Sequence, residues 1–117
     1  MMSALYLLAS LLLAALLVYA GVRKLSHRAD VVASYARVGV PEGRLNLLAA
    51  VLFAGAAGLL AGIIIEPLGI AAAAGLVVYF LAAVIAHLMH RDLRNMGTPL
   101  VMLALATSVL VLRLLLP

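Results

Sequence analysis

The chain has no cysteine. Disulfides, thiolate metal sites, cysteine nucleophiles and dithiol redox chemistry carried by this chain alone are therefore excluded. Charge is scarce too. Only 10% of residues are charged, against about a quarter in a soluble domain. The four acids, Asp30, Glu42, Glu66 and Asp92, all fall outside the long apolar runs. A proton- or cation-coupled transporter usually needs a carboxylate near the midplane of the membrane, so transport ranks last among the functions weighed. HExxH, P-loop, GxGxxG and nucleophile-elbow patterns do not occur.

What is present is apolar. Hydrophobic residues make up 68% of the 117, and the mean hydropathy is +1.31. So small a domain cannot bury that much apolar surface within itself, which places the chain in the membrane class. The net charge of +4 does not point to nucleic acid, because the basic residues sit at the ends of apolar runs and no basic patch is interleaved with aromatics. No nucleic-acid partner is expected.

The sequence predicts an all-α integral membrane four-helix bundle in a single transmembrane domain over 1–117. The spans lie at about 3–22, 45–65, 68–89 and 97–116, each close to the roughly 20 residues that cross a bilayer. A short amphipathic interfacial helix at about 26–38 separates the first two spans. Its Val31, Val32, Tyr35 and Val38 share one face, while Arg28, Asp30, Ser34 and Arg37 lie largely away from it. Ser26 is expected to cap its start. Gly39 suits a left-handed terminating position, and Pro41 blocks continuation. The first positive charges, Arg23 and Lys24, follow the first apolar run, which reads as a retained span and not a cleavable signal.

Gly58 and Gly62 form a small-residue ridge on the second span. The ridge either packs inside the bundle or pairs two copies. Glu66-Pro67 reads as the tight turn between spans two and three, with Ala71 to Gly75 facing the second span. Thr98 or Asn95 is expected to cap the last span, and Arg113 to reach the interface from its end. Tyr6 and Tyr19 suit the two aromatic belts.

Seven of the eight Lys and Arg residues, Arg23, Lys24, Arg28, Arg37, Arg44, Arg91 and Arg94, follow the first or third span. By the positive-inside rule those loops are cytoplasmic and both termini lie outside a multi-pass cell-membrane protein.

The stretch Leu68 to Arg91 holds an ionisable group at the end of an apolar span, His87. An imidazole in hydrocarbon needs a partner. His87 is the candidate catalytic residue. It is also, with Lys24, Tyr79 and Arg91, a candidate ligand-binding residue. It reads either as an acid/base or ligand-head contact, or as a histidine bonded to its own bundle. His90 and Arg91 follow at i+3 and i+4. A metal site at His87 and His90 would need further ligands from His27, Asp30 or Asp92, and the spacing matches no known ligand pattern. No metal and no cofactor of the chain's own are expected.

Gly21-Val-Arg-Lys24-Leu25, Arg37-Val-Gly39-Val-Pro41, Gly55 with Gly58-Leu-Leu, and Ala86-His87-Leu88 occur in an order that resembles the DoxX-like family of small four-helix membrane proteins. The resemblance covers nearly the whole chain and rests on the Lys24, Gly39-Val-Pro41 and His87 positions. Members often carry a glutamate in the second span, where this chain reads Val51-Leu52-Phe53-Ala54. The family name is linked to a quinone-reducing thiosulfate oxidoreductase, and relatives to redox or oxidative-stress systems. The resemblance thus implies a membrane subunit or small-ligand-binding protein in a redox or quinone-linked system. The implied partners are the lipid bilayer, a lipophilic small molecule or quinone, and a membrane oxidoreductase or a second copy. The alternative is a small membrane enzyme, an isomerase, cyclase or hydrolase of a lipophilic substrate, with His87 as acid/base.

Overall fold

A computed structural model describes residues 2–116. Five α-helices run α1 Met2–Ser26, α2 Ala29–Ala36, α3 Leu45–Ala61, α4 Glu66–Met89 and α5 Gly97–Leu115. Short 3-10 turns at Glu42–Arg44 and Leu93–Asn95 precede α3 and α5. No strand occurs among the described residues. Four of these segments are long and apolar enough to cross a membrane: Ser3–Ser26, Glu42–Ala61, Glu66–Met89 and Gly97–Leu115. The four long helices close into a ring, with α1 packed on α3 and α5 and α4 packed on the same two.

Several ends differ from expectation, each for a local reason. The first helix continues past its apolar run to Ser26. Arg and Lys are good helix formers, and their charge suits a helix C-terminus. Ser26 consequently closes α1, its hydroxyl donating back to the Arg23 carbonyl. Arg28 caps α2 without a side-chain hydrogen bond. The chain does not turn at Glu66-Pro67. It turns across 62–65, and both residues sit in the first turn of α4. There the acid complements the helix dipole, and the missing N–H of proline costs nothing. Neither Asn95 nor Thr98 caps α5. Met96 occupies that position with no side-chain bond, and Asn95 instead donates to Asp92. Gly39 has φ +81°, the left-handed conformation expected of it.

The ring's interior is mostly apolar. Leu13, Leu17, Leu52, Leu59, Ala73, Ala106 and Val109 are fully buried. The outward faces are just as apolar: Leu8, Val78 and Leu114 are more than half exposed, as lipid contact requires. Tyr19 points outward, but Tyr6 does not. It is buried at 2% exposure and its hydroxyl donates to the Gly62 carbonyl at 3.3 Å. The Arg113 guanidinium lies 5.2 Å from the centre of the Tyr6 ring. It is half-buried instead of reaching outward, a cation–π contact that keeps it on the bundle. Thr107 and Ser108 bond back to Leu103 and Ala104, at 2.8 Å each, which satisfies their hydroxyls within α5.

The glycine ridge of α3 is used inside the bundle. A Cβ on Gly58 would meet that of Ala72 at 2.7 Å, and one on Gly62 would collide with the backbone of Gly69. α3 and its C-cap Gly62 therefore touch α4 through Gly58, Gly62, Gly69 and Ala72, and this face is closed to a second copy. Gly75 is not part of the contact, since a Cβ there would meet nothing within 4 Å.

Candidate functional site

The ends of α1 and α4 and the start of α5 meet at the basic end of the bundle, roofed by α2. Val31 of α2 and Val38 in the turn after it are buried there, at 2% and 6% exposure, so the apolar face of α2 packs on the bundle. Its polar face is not all outward: Asp30 and Ser34 line the space below. Gly39 lies against the His90 ring, which a Cβ at Gly39 would meet at 2.9 Å. The loop after α2 is thereby held on the end of α4.

Beneath this roof lies a cavity of about 610 Å³, within the range of small-molecule sites. Leu16, Leu52, Phe80 and Met102 supply apolar walls. Lys24, Tyr79 and His87 line the same space. Arg91 does not. It is exposed, with φ 55°, at the left-handed residue where α4 breaks. Three of the four residues singled out from sequence are thus neighbours, contributed by two helices that are not adjacent in the chain.

Lys24 is 3% exposed. Its ammonium sits 4.6 Å from the centre of the Tyr35 ring, a cation–π contact. Burial pushes the Tyr35 hydroxyl above its ordinary pKa, with Arg23 opposing, so it stays protonated and able to donate. Tyr79 packs edge-on against Phe80, ring centres 5.0 Å apart.

His87 is oriented by its own helix. Its Nδ1 donates to the Ala83 carbonyl at 2.8 Å, which leaves Nε2 as the atom that exchanges a proton. Asp92 Oδ2 lies 3.8 Å from that Nε2 and 4.0 Å from Arg37 Nε. It is buried without a hydrogen bond. Asn95 donates to the other oxygen, Oδ1, at 2.8 Å. At 3.8 Å the contact between Nε2 and Oδ2 is longer than a direct hydrogen bond.

Sequence reasoning missed this Asp92, Arg37 and Asn95 cluster as a partner for His87. The available signal was a single acid between Arg91 and Arg94, five residues after a membrane-edge histidine. The three histidines do not converge. His90 Nδ1 donates to the Ala86 carbonyl at 2.9 Å, and His27 faces Glu42 and Asn46.

His27 ties the end of α1 to the start of α3. Its Nδ1 is 3.0 Å from Glu42 Oε2 and its Nε2 2.7 Å from Asn46 Oδ1. A neutral ring has one N–H and can donate to only one of them. The Asn46 bond first, then Glu42, therefore hold the His27 pKa above its usual 6.5. A pKa raised by folding contributes stability that is full below the unfolded value and lost as pH rises through the folded one. NMR titration is expected to place His27 above 6.5, and Asn46→Ala to return it toward that value. The gap in thermal stability between the native protein and His27→Ala should be larger at pH 6 than at pH 9.

In comparison with known proteins, the model described as the DoxX-like family matches residues 8–109 of this chain. No curated protein and no solved structure matches it.

Proposed function

The chain belongs to the DoxX-like family, and on that premise we propose that it is a membrane subunit or small-ligand-binding protein of a redox or quinone-linked system. Its cavity takes the polar head of a lipophilic molecule such as a quinone. The observation that carries this reading is the pairing, in one cavity of about 610 Å³, of apolar walls with Lys24, Tyr79 and His87. A quinone carbonyl accepts hydrogen bonds, and the Lys24 ammonium and Tyr79 hydroxyl are donors. Electrons would come from a membrane oxidoreductase partner.

The test is binding of decyl-ubiquinone to the protein in lipid nanodiscs, read as thermal stabilisation. A ligand that binds only the folded state raises stability by mass action. Stabilisation that rises with quinone concentration is expected. Tyr79→Phe should weaken it about 2- to 10-fold, the worth of one net hydrogen bond. A native protein indifferent to the quinone would sink the reading.

A second reading is supported by one further feature. The Nδ1 bond to Ala83 and the nearby Asp92 carboxylate leave His87 Nε2 equipped for acid/base work. In that case the protein is an enzyme acting on a lipophilic substrate. His87→Ala would then abolish turnover without unfolding the chain, and unchanged turnover would remove this reading.

The basic end is assigned to the cytoplasm from its arginines and lysines. The absence of cysteine makes this easy to check. Arg44→Cys and Glu66→Cys, both at exposed positions at opposite ends, are treated with a membrane-impermeant maleimide on intact cells. Only Glu66→Cys should be labelled, and the reverse pattern would invert the topology.

A further inference from the structure

The charge lining the cavity is unbalanced. Among the described residues no carboxylate lies within 4.0 Å of the Lys24 ammonium, although the residue is 3% exposed. Arg23 and Arg94 also line the cavity. The one carboxylate among the lining residues, Asp30, is shared between Arg23 at 3.8 Å and Arg28 at 3.5 Å. The other nearby acid, Asp92, faces Arg37 and His87 and accepts from Asn95. A buried ammonium without a counter-charge is costly, and the face of Tyr35 compensates it only in part. An anion in the cavity would complete it with a charge-assisted hydrogen bond.

The cavity also continues in an apolar direction. A second cleft of about 400 Å³ shares Leu16, Gly97, Thr98 and Met102 with it and adds Val101. Val101 is 57% exposed on the outer face of α5. The combined space therefore runs from the Lys24 ammonium, between α1 and α5, to the lipid-facing surface.

We propose that this space takes a single-chain amphiphile with an anionic head, a carboxylate or phosphate, held by Lys24, with its chain lying in the α1–α5 cleft. The proposal rests on the reading that the cavity receives a lipophilic molecule. It goes further by assigning the head a charge, which a neutral quinone lacks.

Native mass spectrometry of the full chain from maltoside micelles tests it with four probes: dodecyl phosphate, dodecanol, inorganic phosphate and decyl-ubiquinone. One dodecyl phosphate should bind per chain, at least 10-fold more tightly than dodecanol or inorganic phosphate. Lys24→Gln should weaken it about 10- to 100-fold, the expected loss of one charge-assisted contact, while Lys24→Arg retains it. Dodecanol binding as well as dodecyl phosphate would overturn the proposal, and this comparison needs only the native protein, whether or not the variants fold. Inorganic phosphate binding as well as its alkyl ester would assign the site to a free anion and overturn the amphiphile. Binding of decyl-ubiquinone with no preference for dodecyl phosphate would overturn the anionic head while leaving the lipophilic site in place.

Discussion

Gly62→Val is expected to separate α3 from α4 and to destabilise the bundle by about 3 kcal/mol or more. Overpacking an ordinary core costs roughly 1–3 kcal/mol because side chains shift to relieve it. At Gly62 the opposing atoms are the Gly69 backbone, and no rotamer can move them. The same displacement would pull the Gly62 carbonyl from the Tyr6 hydroxyl that donates to it. In lipid the loss is not offset by a hydrophobic force between helices, since small-residue packing is itself what holds such helices together. Gly75→Val supplies the control, because a Cβ there meets nothing within 4 Å. Unfolding in mixed maltoside and dodecyl sulfate micelles should show Gly62→Val collapsing at far lower dodecyl sulfate than the native chain, and Gly75→Val close to native. Equal behaviour of the two variants would refute the close α3–α4 contact.

Filling the cavity should remove ligand binding without touching its polar residues. Ala83 lines the cavity on the same helix as Tyr79 and His87. Ala83→Trp places a bicyclic ring in that space while leaving its backbone carbonyl free to accept from His87. Decyl-ubiquinone or dodecyl phosphate should bind at least about 100-fold more weakly, equivalent to about 2.8 kcal/mol. Helix content should be unchanged. The variant separates displacement from chemistry, since Lys24, Tyr79 and His87 all remain. Binding at native strength in Ala83→Trp would mean that the ligand sits elsewhere.

The sequence carried the four spans and the basic end, because length and apolar composition alone mark a membrane helix. It also carried Gly39, where a glycine followed by a proline two residues on has few other uses. It could not carry which face of each span looks inward. A soluble helix announces its inner face by contrast between apolar and polar sides, but here both sides are apolar. Leu12 is half exposed while Leu13 is fully buried, and nothing in the side chain distinguishes them. The same ambiguity put Tyr6 in an aromatic belt, whereas it reaches the Gly62 carbonyl across the bundle.

The candidate site was half legible. Lys24, Tyr79 and His87 stood out as polar groups in apolar surroundings. Arg37 and Asp92 looked like ordinary loop charges. The turn that ends α4, in which the Asp92 N–H donates to the His87 carbonyl, brings Asp92 to His87, and the folding of α2 back over it brings Arg37 to Asp92. Arg91 was expected beside Lys24, Tyr79 and His87 as a ligand-binding residue, but the left-handed break after α4 turns it out to the exposed surface.

The central claim is that the cavity under α2 receives the head of a lipophilic molecule. Photo-crosslinking tests it most directly, using a decyl-quinone that carries a diazirine beside its ring, in nanodiscs, with the adducts located by peptide mass spectrometry. Adducts should fall on cavity-lining residues such as Tyr79, His87 and Met102 and disappear in Ala83→Trp. Adducts spread over outward residues such as Leu8, Val78 and Ile64, and unchanged by Ala83→Trp, would contradict it.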